Sequence, residues 1–266
     1  MPAYPYFHVD AFADTPFTGN QAAVIPLDSW LKDDVLQAIA EENKFAETAF
    51  IVPDESGEAH YELRWFTPAC EVALCGHATL ASGHVVLSMT PDLRTVHFRT
   101  RQAGILKVSK DGGAYHMALP AYTPSPRELD RAVTALGHAP SETHFREGGY
   151  ALFVYDTPEE VLALEPDMRA LAEFGDQWQF ICTAPGTDTD VLSRVFVPGA
   201  GIDEDSVTGS AHCVLTPYWA AQLGRDSFTA YQASERGGHV RCTLDGENAV
   251  LGGACFTVVE GQFNLP

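Results

Sequence analysis

Two stretches of the chain are apolar on nearly every side at helical spacing, and shorter apolar runs flank them. Residues 77–89 distribute Ala78, Leu80, Ala81, Val85, Val86, Leu87 and Met89 around the full turn of a helix with hardly any polar face. A helix that is apolar all round is a buried one. Residues 211–223 repeat the pattern with Val214, Leu215, Tyr218, Trp219 and Ala220, although Pro217 is expected to kink that helix. Residues 7–12, 48–52, 61–66, 95–99, 105–108 and 115–119 read as strands. Ser29 is expected to cap a further helix to about Asn43, with Trp30, Leu31, Val35, Leu36 and Ile39 at helical spacing. The proline-rich residues 120–126 read as a linker, and Ser125-Pro126 is expected to start a helix through about Leu136, closed by Gly137. A central helix wrapped by mixed strands in each half is the architecture this pattern predicts.

The two apolar helices begin alike. Gly76-His77-Ala78-Thr79 and Gly209-Ser210-Ala211-His212 stand at an offset of 133, and their neighbourhoods match at nearly the same offset. Phe66-Thr67-Pro68 corresponds to Phe196-Val197-Pro198, and Gln102-Ala103 to Gln232-Ala233, both at 130. Residues 36–53 lie on 168–185 without a gap at 132, pairing Ala38, Ala40, Glu41 and Pro53 with Ala170, Ala172, Glu173 and Pro185. This period is far too long for a solenoid, and units of roughly 130 residues have the size of domains. The expectation is an α+β protein of two pseudo-symmetric domains, residues 1–121 and 122–266, with the final strand a candidate to cross back to the first.

Composition narrows the partners. With 36 acidic against 16 basic residues and a net charge of −20, nucleic acid and anionic membrane are excluded as expected partners. No apolar stretch is long enough to span a bilayer, and Met1-Pro2-Ala3-Tyr4-Pro5 does not resemble a signal peptide, so the expected location is cytoplasmic. The six cysteines are then expected to be reduced, and Cys70 and Cys75 are poorly spaced for structural zinc, so no metal is expected. Cys75 stands apart because it directly precedes Gly76. Neither tetrapeptide contains lysine or arginine, so an anionic substrate would have to be held by local donors.

Such donors exist where the two helices open. A glycine at a helix start lets a ligand approach backbone N–H groups that have no partner in the first turn, and the helix dipole favours an anion there. Gly76 and Gly209 would thus hold a carboxylate; the plainer alternative is that each permits close helix–strand packing.

Val9-Asp10-Ala11-Phe12, Phe17-Thr18-Gly19-Asn20, Glu47-Thr48-Ala49-Phe50, Leu74-Cys75-Gly76-His77-Ala78-Thr79 and the run from Asp205 to His212 together resemble the PhzF-like isomerases of phenazine biosynthesis. The likeness extends from the N-terminus to Gly252-Gly253. It implies the fold of diaminopimelate epimerase, with a mixed sheet or barrel around a central helix in each domain and the active site in the cleft between them. It also implies cofactor-independent proton transfer on a small carboxylate-bearing molecule, and a homodimer. The family's catalytic glutamate falls on Glu47, its histidine on His77, its aspartate on Asp205 and its substrate-binding serine on Ser210. Asn20, in a matched motif, joins Gly76 and Gly209 as an expected substrate-binding residue. Gln21 stands where relatives commonly have proline.

The residues themselves bear on that carry-over. Glu47 opens an apolar strand, where partial burial is expected to make it a stronger base. Its counterpart by internal alignment is Gln179, which suits a single base returning a proton to the same face. In the related epimerases a cysteine before each glycine makes a pair of thiols; here Cys75 faces Thr208. Isomerisation by Glu47, epimerisation assisted by one cysteine, and a non-catalytic anion-binding module are the competing readings. His84, His212, Asp203 and Glu204 are expected to be structural, while Tyr150, Trp178 and Trp219 are candidates for shaping a pocket.

Overall fold

Alternating burial along the strands and continuous burial along two helices organise the chain, in a computed structural model that describes residues 2–265. The chain divides into two compact units. Unit 1 takes the sequence up to Ala118 and again from Gly252, and unit 2 is Leu119–Leu251.

In unit 1, β1 (Ala3–Ala11) is antiparallel to β2 (Asn20–Pro26). After α1 (Asp33–Asn43), β3 (Glu47–Pro53) runs parallel to β2 and antiparallel to β4 (Tyr61–Phe66). The short β5 (Glu71–Val72) pairs with β4 and leads into α2 (Gly76–Met89). Then β6 (Thr95–Thr100) lies parallel to β4, and β7 (Ile105–Asp111) joins it to β8 (Ala114–Pro120). The C-terminal strand, Cys255–Asn264, closes unit 1 by running antiparallel to β1. The apolar helix α2 packs against β1, β2, β3, β6, β7 and that last strand. Gly83 is what lets β7 approach, because a Cβ there would sit 2.4 Å from the Val108 side chain.

Unit 2 repeats the order. It contains β9 (Ser125–Pro126), α3 (Asp130–Leu136), β10 (Glu142–Arg146), β11 (Tyr150–Val154), α4 (Pro158–Leu162), α5 (Met168–Ala172) and β12 (Gln179–Pro185). It continues with β13 (Val191–Val197), β14 (Ile202–Glu204), α6 (Gly209–Leu223), β15 (Ser227–Gln232), β16 (Gly238–Asp245) and β17 (Asn248–Gly253), before the C-terminal strand β18. Antiparallel β10–β11, parallel β11–β12, antiparallel β12–β13 and parallel β13–β15 reproduce β1–β2, β2–β3, β3–β4 and β4–β6. A partly buried ion pair is repeated too. Arg64 on β4 makes a two-pronged contact to Glu71 at 2.7 and 2.8 Å, and Arg194 on β13 makes the same to Glu204 at 2.8 Å for each prong. The duplication visible in the sequence is therefore a duplication of topology and of supporting side chains.

Two expected helix starts are displaced. Ser29 is not the cap of α1, which starts at Asp33 after an extended Lys32; Asp33 and Asp34 place negative charge in the first turn, where the dipole favours it. Ser125-Pro126 does not start a helix. It pairs with β10, opposite Phe145 and His144, and α3 begins only at Asp130; Gly137 closes that helix in the left-handed region with φ of 77°. Pro217 sits inside α6, which continues to Leu223. The carbonyl deprived of its helical donor by Pro217 is that of Cys213, and it accepts instead from the Tyr122 N–H at 2.9 Å. The segment read as a linker is thereby tied to α6. All six cysteines are free thiols, five of them buried. Among the described residues no helix is long and apolar enough to cross a membrane.

Candidate active site

Parallel pairing aligns the starts of β2 and β3, with Ala22 beside Glu47, so Asn20 and Glu47 emerge together where α2 begins. The ring of His77, buried in the first turn of α2, is surrounded by polar groups. The Glu47 Oε2 lies 3.1 Å from Nε2, while Asn20 Nδ2 and Cys75 Sγ lie 3.3 and 3.6 Å from Nδ1. The Glu47–His77 contact is short enough for an ion pair, yet its angles complete no hydrogen bond at either atom. The Glu47 side chain keeps 18% of its exposure against 6% for His77, so the carboxylate is the member a ligand reaches.

Burial disfavours a charged His77, but the negative groups facing it, Cys75 and Glu47, outweigh burial and hold its pKa well above the ordinary histidine value. Burial and then the charge of Glu47 push the Cys75 thiol up to about 11, against the opposing pull of His77. A thiol with that pKa is protonated at neutral pH, which leaves Glu47 as the negative group that favours a proton on His77. Glu47, Cys75 and His77 also offer a carboxylate, a sulfur and an imidazole nitrogen all within 4.8 Å of one another. That donor set suits a soft divalent ion such as zinc, at the cost of deprotonating Cys75.

In unit 2, Gln179 opens β12 and Ser210 stands in the first turn of α6. The Gln179 amide donates to the Ser210 hydroxyl at 3.0 Å, and that hydroxyl can donate to the amide oxygen at 3.1 Å. Thr208, the residue corresponding to Cys75, donates its hydroxyl to the Asp205 carboxylate at 2.7 Å. The fully buried Gln232 fixes this turn by accepting from the Thr208 N–H at 2.9 Å and donating to the Asp205 carbonyl at 2.8 Å. α4 and α5 carry ordinary side-chain caps from Thr157 and Asp167, whereas Cys75 and Thr208 give α2 and α6 none. The two glycine-led helix starts share this lack of a side-chain cap with α1 and α3.

Asn20, Glu47, Gly76 and His77 thus come together in unit 1, and Asp205, Gly209 and Ser210 in unit 2. Glu204 is held by Arg194 and Asp203 is exposed. His84 is bonded on both nitrogens, to Tyr115 and Thr257. His212 donates from Nδ1 to the Thr208 carbonyl at 2.8 Å, and burial pushes its pKa down to about 4, so it is neutral. Of the aromatic candidates, Tyr150 stands beside Ser210. Trp178 packs instead among Phe145, Phe174 and Phe180, and Trp219 is buried with its ring N–H on Thr183. Sequence reasoning missed Gln232: its alignment partner Gln102 is exposed, and only the register of β15 shows that Gln232 points inward.

The family model for phenazine biosynthesis-like protein, PhzC-PhzF, matches residues 9–261. An uncharacterized isomerase of Pseudomonas aeruginosa is 44% identical over 261 residues, 97% of this chain and 98% of the relative. The crystal structure of a PhzF family protein from Enterococcus faecalis superposes with a TM-score of 0.91 at 40% identity, over 99% of this chain and 100% of the other. A hydroxyproline epimerase from Agrobacterium vitis shares the fold at a TM-score of 0.60 and 14% identity, over 98% of this chain and 92% of the other. Together with the duplicated topology and the Glu47–His77 pair, these findings establish that the chain belongs to the phenazine biosynthesis-like protein family and is an isomerase of that family.

Proposed function

We propose that this isomerase moves a proton on a small carboxylate-bearing metabolite without a cofactor, using Glu47 as its single acid/base. The observation that carries the reading is the contrast between two equivalent contacts: Glu47 with His77 in unit 1, and Gln179 with Ser210 in unit 2. Only the first contains side chains that can take up and release a proton as acid or base. In this reading the Glu47 carboxylate takes a proton from carbon and returns it to another carbon on the same face. His77, whose pKa is raised by the groups facing it, donates a proton or hydrogen bond to the negative charge that develops on the substrate in between. The helix starts at Gly76 in unit 1 and at Gly209-Ser210 in unit 2 are each suited to take a carboxylate, and Asn20 and Asp205, each in its own unit, to orient a polar substituent.

Epimerisation through Cys75 is the second reading, favoured by the approach of Sγ to the His77 ring. A thiol held at about 11 is a weak base at neutral pH, and the corresponding position in unit 2 is Thr208, which argues for the glutamate. The test is a panel of small carboxylic acids incubated with the protein in D2O. Wild type is expected to incorporate deuterium into its substrate and to yield a constitutional isomer, and Glu47→Gln to do neither while retaining binding. Undiminished exchange in Glu47→Gln, or an enantiomer or epimer as the product, defeats the proposal.

A further inference from the structure

Arg146 is a half-buried cation that a strongly acidic chain leaves without a carboxylate. Arg64, Arg99, Arg101, Arg127, Arg131, Arg194 and Arg225 each hold an acidic side chain within ion-pairing distance, but Arg146 makes no ion pair among the described residues. Its chain neighbour Glu147 turns to Arg127 instead, at 3.7 Å. The Arg146 guanidinium lies 5.6 Å from the centre of the Tyr122 ring, a cation–π contact that orients it without neutralising it.

Strand register shows where that charge stands. Arg146 is directly opposite Tyr150 across β10 and β11, and Tyr150 is in register with Gln179 across β11 and β12. Cross-strand partners project to the same face. Arg146, Tyr150 and Gln179 therefore form a row over three strands, spanning about 10 Å at the usual interstrand spacing. At one end Gln179 holds Ser210; in the middle Tyr150 stands beside Ser210, and its ring lies 5.4 Å from that of Tyr122. Tyr122 is itself fixed by the Cys213 carbonyl that Pro217 frees. The corresponding row in unit 1 is Val9, Ala22 and Glu47, with neither a cation nor an aromatic ring, so the duplication alone does not account for Arg146 and Tyr150.

We infer that Arg146, Tyr122 and Tyr150 form a recognition subsite for a second carboxylate, so that the substrate is a small dicarboxylic acid held at Ser210 by one end and at Arg146 by the other. This rests on the assignment of Ser210 to carboxylate binding. The experiment is calorimetric titration of the whole protein, at low ionic strength, with the linear dicarboxylates from malonate to suberate and with monocarboxylates of equal length. Wild type is expected to bind its best dicarboxylate about tenfold or more tightly than the matched monocarboxylate, the increment of a charge-assisted pair. Arg146→Gln should erase that preference and leave monocarboxylate affinity unchanged, with Arg146→Lys retaining part of it. Equal affinities for the two classes in wild type, or binding of neither, overturns the inference. So does a preference that survives in Arg146→Gln, or a loss in that variant that falls equally on both classes. Glu47→Gln should keep the preference, so a failure of the glutamate mechanism, seen in D2O exchange, is distinguishable from a failure of the subsite.

Discussion

At the start of α2 a carboxylate meets an imidazole ring, and at the start of α6, in the same topological position, an amide meets a hydroxyl. The frames that carry these pairs coincide strand by strand, down to the arginine–glutamate bridge behind each. Glutamate and glutamine have nearly the same shape, so one backbone accepts either; they differ in whether a proton can come and go. The duplicated fold accordingly sets where side chains stand, and single substitutions decide what each half does with the position. Thr208 shows the same economy. Its hydroxyl is a good donor to Asp205, where the thiol of Cys75 would be a weak one. The histidines diverge as well: the groups facing His77 raise its pKa, while burial lowers that of His212 to about 4.

The contrast breaks most visibly at Glu47. Glu47→Gln makes unit 1 resemble unit 2, and the deuterium exchange rate should fall about 10²- to 10⁴-fold, the usual contribution of a positioned acid/base. Next in size is Gln232→Leu, which strands the Thr208 N–H and the Asp205 carbonyl; chemical denaturation should report a loss of about 3 kcal/mol. A comparable effect attaches to His212 through pH. Its pKa is about 4 in the fold, below the ordinary histidine value, so between those limits the unfolded chain binds more protons and stability rises with pH. Stability should therefore drop by about 3 kcal/mol as pH falls from about 6.5 to 4, and His212→Gln should flatten that slope.

His77 has the opposite sign. Its folded pKa is raised, so the stability it contributes is present in full below the unfolded value and fades as pH rises through the folded one. In NMR titrations its midpoint should lie above that of an ordinary histidine and move down in Glu47→Gln, because the opposing charge is gone while burial remains. The smallest effect is expected at Cys75. Cys75→Ser should leave exchange within about tenfold of wild type, short of the loss typical of a missing general base; a larger loss would restore the thiol as a participant and weaken the contrast between the halves.

The linear sequence made much of this legible because two of its signals are local. Apolar residues all around residues 77–89 and 211–223 announce buried helices whatever surrounds them, and a constant offset between matching segments announces duplication without reference to contacts. Glycine before each helix, and Glu47 against Gln179, follow from that alignment. Ser29 and Ser125-Pro126 misled for the converse reason: a capping residue or a proline permits a helix start, and pairing with a strand, as Ser125 does with Phe145, can claim the segment first.

What only the tertiary structure decided is which distant residues share a face. The inward turn of Gln232, the approach of Glu47 to within 3.1 Å of His77, and the row from Arg146 through Tyr150 to Gln179 all depend on register between strands far apart in the chain. Hydrophobic periodicity reports that a strand exists and which face is buried; it carries no information about the neighbour that pairs with it, because backbone hydrogen bonds are the same for every residue but proline. The chain by itself thus determined two copies of one frame and the difference in their chemistry, and the folding of the sheets determined which side chains that chemistry brings into contact.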